Sequence, residues 1–291
     1  MGPYSDFSEA DLAALKRAKY ELETPPLGMK LAAIVGAPVE KLIAKLPAVA
    51  NDKVNDATQA ALRKCLQLAL KTLGKQGEDA LETAGDTAVA GAQQKPGAKP
   101  VARPSNLLHK FAVATTGAAG GAFGLFALPV ELPVTTTLMF RSICDIARSE
   151  GEDLTSADVQ LQCLTVFGMG GRSADDDEAD FGYFIVRGAL AQAVSKASSE
   201  MATKGFAAHG STALLKLMQT VATRFSVQVS EQVAAKSIPA IGAVLGAMVN
   251  TVFIDHFQNV AHGHFTVRKL ERRYGEAAVH AAYDGIDVAL D

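Results

Sequence analysis

The sequence predicts an all-α protein, a multi-helix bundle around a glycine-rich apolar central helical hairpin. Three observations carry that expectation. Apolar residues recur at helical spacing in one segment after another, as at Ala61, Leu62, Cys65, Leu66, Ala69 and Leu73. No stretch shows the alternation of a half-buried strand. Two uncharged runs, 111–130 and 237–254, carry small residues four apart: Gly117 with Gly121, Gly120 with Gly124, Gly242 with Gly246. That spacing lets two helix backbones approach closely.

Taken in order, Ser8 with Asp11 opens a first helix striped by Leu12, Leu15 and Leu22, and Pro25–Pro26 stops it. A second apolar segment, 31–46, contains Pro38 and ends at Pro47. Residues 56–74 form an amphipathic helix with Gly74 as its cap. Residues 85–106 lack periodicity and collect Gly, Ala, Gln and Pro, a flexible linker or insertion. It separates an N-terminal helical part, 1–84, from a helical core, 107–291, and the small size of the N-terminal part favours a long loop within one domain.

The core opens with the stretch that organises the chain, 109–151. Its uncharged run meets Glu131 between Pro129 and Pro133, then Arg141, Asp145, Arg148 and Glu150 at helical spacing. Thr155 with Asp158 resembles a capping box, for a helix reaching about Met169 before Gly170–Gly171. Residues 173–180 read as a solvated acidic loop without EF-hand spacing. Phe181, Phe184, Ile185, Leu190 and Val194 stripe the next helix. Ser211 starts another, with Leu214, Leu215, Met218, Val221, Phe225 and Val229 as its core face. The second uncharged run passes into a more polar helix or helix pair, and a short helix over 276–290 closes the chain.

Composition bounds the function. The 291 residues are 48% hydrophobic and 20% charged, enough to bury a core, with only 6% aromatic residues and no Trp. A net charge of -3 with no basic, aromatic-laced stripe argues against a nucleic-acid partner. Cys65, Cys144 and Cys163 form no CxxC pair and read as buried thiols in a reducing compartment. The first residues lack the basic and apolar regions of a signal peptide, and Asp6 occupies the Ser/Thr position of a myristoylation motif. No GxxxxGK[ST] is present, so a P-loop is excluded.

The candidate residues are few. A lone carboxylate beside an apolar run is costly unless paired, so Glu131 is expected to meet Arg141, whose i,i+4 neighbour is Asp145. Tyr183 and Arg187, also i,i+4, are expected to join that network, with Asn250 from the second apolar run. The functional reading is a polar pocket for a headgroup or small anion anchored by Arg141. The bland reading is an ion-pair network that fixes the helices. Asp255, His256 and His262 make a metal site only if Gly263 breaks their helix, since no HExxH is present. His264 completes that histidine-rich stretch, and no Ser-His-Asp order stands out.

The apolar runs raise the question of lipid. Residues 111–130 reach spanning length and 237–254 fall just short. The Ala, Gly and Thr of 112–122 gain little from hydrocarbon, which favours a buried hairpin over insertion. Phe123, Leu125, Phe126 and Leu128 could dip into one leaflet, and Arg268, Lys269, Arg272 and Arg273 could touch anionic lipid.

The segment LHKFAVATTGAAGGAFGLFALPVELPVTTTLMFRSICDIARSEGEDL resembles the signature of the EcsC family. VFGMGG at 166–171, FGYFIVRGALA at 181–191, SIPAIGAVLGAMVN and FTVRKLERRYG are similar to further pieces of it. The second glycine-rich run is also similar to helical hairpins of GTPase-associated membrane proteins. The EcsC resemblance implies a bacterial helical protein tied to an accessory component of an ABC-transporter system, with no agreed enzymatic activity and no cofactor. It implies a cytoplasmic or membrane-peripheral setting and membrane lipid or membrane-protein partners, transporter subunits among them. The function expected is therefore a non-enzymatic accessory or binding protein. The alternative is a hydrolytic, metal-dependent enzyme using Glu131, Asp145, Asp255 or His256.

Overall fold

A computed structural model describes residues 7–23, 25–74, 128–170, 183–204, 211–237 and 243–287. Among them the chain forms ten helices and no strand. They are α1 (Glu9–Glu23), α2 (Leu27–Val35), α3 (Val39–Ile43), α4 (Ala48–Gly74) and α5 (Leu128–Ser149). The rest are α6 (Ala157–Met169), α7 (Tyr183–Lys204), α8 (Thr212–Lys236), α9 (Ala243–Tyr274) and α10 (Glu276–Gly285). The fold is all-α, as expected. The linker 85–106 and the glycines of the first apolar run lie outside the described residues.

Local signals explain most boundaries. The Ser8 hydroxyl accepts from the Asp11 N–H at 3.1 Å, capping α1. Prolines 26 and 38 stand immediately before α2 and α3, and Gly36 ends α2 in the left-handed region at φ 70°. Ser211 accepts from the Leu214 N–H at 3.1 Å and caps α8. Thr155 does not cap α6. Its N–H and hydroxyl both bind Asp153, and Ser156 takes the cap position.

Two helices bury most of the expected stripe, Leu190 and Val194 in one and Leu214, Val221, Phe225 and Val229 in the other, but each leaves one expected core residue outside. Ile185 and Leu215 are exposed, at 54% and 56%. The buried stripe of α7 is Leu190, Val194, Ala197 and Met201, and that of α8 is Leu214, Leu217, Val221, Phe225 and Val229. Ile185 and Leu215 fall outside the stripes, with Ala197 and Leu217 buried in the company of the expected residues.

The main core packs α2 to α9. At its centre Phe225 of α8 lies 4.9 Å from Phe167 of α6 and 5.4 Å from Phe257 of α9, ring centre to ring centre. A second, smaller core joins Leu15 and Ala18 of α1, Tyr183, Val267 and Leu270 with Val279, Ala282 and Tyr283 of α10. Lys19 of α1 donates to the carbonyls of Tyr283 and Ile286, both at 2.9 Å, and so closes the C-terminal end of α10.

The 32 residues of α9 form one continuous helix. Gly263 does not break it. Instead a Cβ there would lie 2.6 Å from Leu22 Cγ and 2.9 Å from the Ala18 carbonyl oxygen. The missing side chain is what lets α1 lie against α9.

Two polar contacts set α5 beside α9, and a third ties α9 to the turn after α5. Asn250 donates to Glu131 at 3.3 Å, Gln258 to Ser142 at 2.7 Å, and Arg268 to Glu152 at 2.7 Å. Residue numbers rise together along both helices, so α5 and α9 run parallel. These are the helices that continue the two apolar runs.

Candidate functional site

The ionisable groups gather at the two ends of α9. At its beginning Glu131, in the first turn of α5, meets Lys236 from the last turn of α8 at 2.5 Å. A carboxylate suits a helix N-terminus and an ammonium a helix C-terminus. Both side chains are nearly buried, at 11% and 8% exposure. Asn250 donates to the same Glu131 oxygen, and the Gln232 amide donates to Asn250 at 2.6 Å. Burial pulls Lys236 below the ordinary lysine value, while the Glu131 charge pushes the other way.

Arg141 is not the partner of Glu131. It lies ten residues further along the same unbroken α5, about 15 Å along the axis at 1.5 Å per residue. Asp145 is one turn beyond it, and both are half-buried. The sequence did carry a signal for the true partner. Gln232 and Lys236 stand at i,i+4 immediately before the second apolar run, where two polar groups on one face need company.

Arg187 and Tyr183 belong to a second network. Arg187 grips Glu271 with two parallel hydrogen bonds of 2.6 and 2.5 Å. The Tyr183 hydroxyl lies 2.8 Å from Nδ1 of the fully buried His264. Burial holds His264 well below the ordinary histidine value, and the charges of Arg187 and Arg268 lower it further. Its imidazole is therefore neutral. Burial likewise raises the Tyr183 phenol, so it keeps its proton. Asn250 and Glu271 are 21 residues apart on α9, about 31 Å of helix. The expected single network is thus two, one at each end.

The basic cluster is compensated within the chain. Arg268 binds Glu152 through Nε at 2.7 Å and Nη2 at 3.2 Å, and Arg272 binds the same carboxylate. Lys269 pairs with Glu150 at 3.1 Å and Arg273 with Asp11 at 2.8 Å. Burial raises Glu152, but the hydrogen bonds and charges of Arg268 and Arg272 outweigh it and hold the carboxyl below its usual value. Arg187, Arg268, Glu271, Arg272 and Glu276 line a recess of about 230 Å³.

The remaining candidates fall as follows. Leu128 is 6% exposed and packs into the main core, so it faces protein rather than lipid. Phe123, Leu125 and Phe126 lie outside the described residues. His256 is buried with Nε2 against the Gly170 carbonyl, and burial together with Lys30 lowers it to about 4. Asp255 lies within electrostatic reach of Lys30 on α2. Because α9 is continuous, Asp255 and His262 are two turns apart, about 10 Å. Among the described residues no three His, Cys, Asp or Glu side chains gather to hold a metal. No described helix is long and apolar enough to cross a membrane.

These observations define an all-helical bundle with one ion-paired network at each end of its longest helix. The family model for the EcsC protein family matches residues 9–270, and the chain belongs to that family. No curated protein and no solved structure matches it.

Proposed function

We propose that this protein is a non-enzymatic accessory protein that works at the cytoplasmic face of a membrane, docking on lipid through the end where α5 and α9 begin. The observation that carries the reading is a set of exposed apolar side chains at that end. Val130 is 73% exposed, Val244 76% and Met248 47%. In the sequence the uncharged segments 111–127 and 238–242 immediately precede these two helices. Exposed aliphatic groups gain about 0.8 kcal/mol per methylene on leaving water. Glu131 and Lys236 at that end neutralise each other. The tie of the EcsC family to an ABC-transporter accessory component makes a transporter subunit the protein partner to look for there.

Binding of this kind is apolar. It needs no anionic lipid, since Arg268, Lys269, Arg272 and Arg273 already have carboxylate partners, and it survives high salt. Flotation of the full chain with neutral phosphatidylcholine vesicles tests it. The chain should float at low and high salt, and a Val244→Asp, Met248→Asp double variant should stay at the bottom. A chain that ignores vesicles, or a double variant that floats as well as the parent, refutes the proposal. The hydrolytic alternative needs Glu131, Asp145 and Asp255 or His256 to converge. On α5 the first two are 14 residues apart, about 21 Å.

A further inference from the structure

We propose that α2 and α3 form a flap over α8 and α9 whose latch is the Glu231 carboxyl, closed in acid and loosened as pH rises. The two helices are short, Leu27–Val35 and Val39–Ile43. Pro26 stands before the first, and Gly36 and Pro38 separate it from the second. In the bundle α2 lies on α8 and α9, and α3 lies on α8. Their anchors in the main core are Leu27, Leu31 and Val39, each at most 1% exposed. Loosening the pair brings these side chains, and the apolar surface of α8 and α9 beneath them, into water.

Glu231 sits under this pair. A Cβ at Gly28 would lie 3.1 Å from one oxygen of the Glu231 carboxyl and 3.8 Å from the other. The backbone of α2 therefore rests directly on that group, and Gly28 is itself buried. Among the described residues no cation acts on Glu231. The charge that reaches it belongs to Glu40, in the first turn of α3, and has the same sign. From α2, Lys30 acts on Asp255 and His256 of α9 instead. From α4, α6, α7 and α9, which also pack on α8, no charged group among the described residues reaches it.

Ionisation is thus opposed twice, by burial against α2 and by the like charge on α3. Burial first, and Glu40 second, push the carboxyl up to about 7. When the flap opens, water returns to the carboxyl and its value falls toward the ordinary 4.5. The closed state holds a proton that the open state releases. Closure is therefore favoured in acid, weakens as pH rises from 4.5 to 7, and levels off above. His256 on the other flank is lowered to about 4 and stays neutral above that range. The flap stands apart from the proposed lipid docking, which uses Val130, Val244 and Met248.

Hydrogen–deuterium exchange of the full chain at about pH 5 and about pH 8 tests the flap, read as protection after correction for the intrinsic rate at each pH. Protection of residues 27–43 should fall by at least about tenfold between the two, while that of α5 and the centre of α9 holds within about threefold. Glu231→Gln keeps the shape of the latch and cannot ionise, so its protection over 27–43 should also hold within about threefold. Glu40→Lys, at an exposed position, should raise the protection at the higher pH by at least about threefold. A smaller fall in the parent, or a Glu231→Gln variant that responds as the parent does, overturns the latch. An equal loss in α5 and α9 overturns the flap, because the whole chain then loosens together. A Glu40→Lys variant no better protected than the parent overturns the like-charge contact.

Discussion

Replacing Lys236 by Met should be among the costliest single changes in the chain. Lys236 and Glu131 are 8% and 11% exposed and 2.5 Å apart. Removing one partner leaves the other charge buried, at a cost of about 3–5 kcal/mol. Against a total stability of about 5–15 kcal/mol, that is a large share. Changing Glu131→Leu alone should cost a similar amount, because the Lys236 ammonium is then stranded. The double variant, Glu131→Leu with Lys236→Met, should recover most of it, since two apolar groups replace two charges. It should retain a deficit of about 1–3 kcal/mol, because Asn250 loses the acceptor it now finds on Glu131. Urea unfolding of the four proteins measures the cycle. Coupling of at least about 2 kcal/mol is expected, and a double variant equal to the sum of the singles within about 0.5 kcal/mol refutes the buried pair.

Two further outcomes follow from the packing and the ionisations. Gly263→Ala forces a Cβ toward the Ala18 carbonyl at 2.9 Å and Leu22 Cγ at 2.6 Å. Overpacking costs about 1–3 kcal/mol and helix propensity returns about 1 kcal/mol, so a net loss of up to about 2 kcal/mol is expected. Calorimetry should show a lower Tm, and a higher one contradicts the close crossing of α1 and α9. Glu231 is raised to about 7, first by burial and then by the charge of Glu40. The folded state therefore holds a proton that the unfolded chain releases near its ordinary value of 4.5, so this group's contribution falls as pH rises from 4.5 to 7. Glu231→Gln should gain stability relative to the parent across that window, by as much as about 3 kcal/mol. A difference that stays flat with pH rejects the shift.

Much of the fold was legible in the residues, and the reasons are local. Ser8 with Asp11, Pro25–Pro26 and Ser211 announce helix ends through groups that act within a turn. The apolar face of α4 was readable because its core residues are themselves apolar and regularly spaced. The faces of α7 and α8 were harder. Ile185 and Leu215 drew attention as bulky residues, while the chain buries Ala197 and Leu217 beside them. Partners distant in sequence were hard to read: Gln232 and Lys236 mark a polar face in need of company without pointing to its partner. Nothing in the neighbourhood of Glu131 names Lys236, 105 residues away, and nothing near Arg187 names Glu271. The use of Gly263 was not legible either, because it depends on α1, more than 240 residues earlier.

The polar contacts between α5 and α9 have a consequence for how these helices can move. A seam lined only by interchangeable aliphatic groups can slip by a turn and lose little. Here a slip of one turn, about 5.4 Å, would part Asn250 from Glu131 and Gln258 from Ser142 in a single stroke, at groups largely out of water. The two contacts work like the teeth of a key. They admit one register and reject its neighbours, so α5 and α9 must travel together or come apart, with no sliding state between.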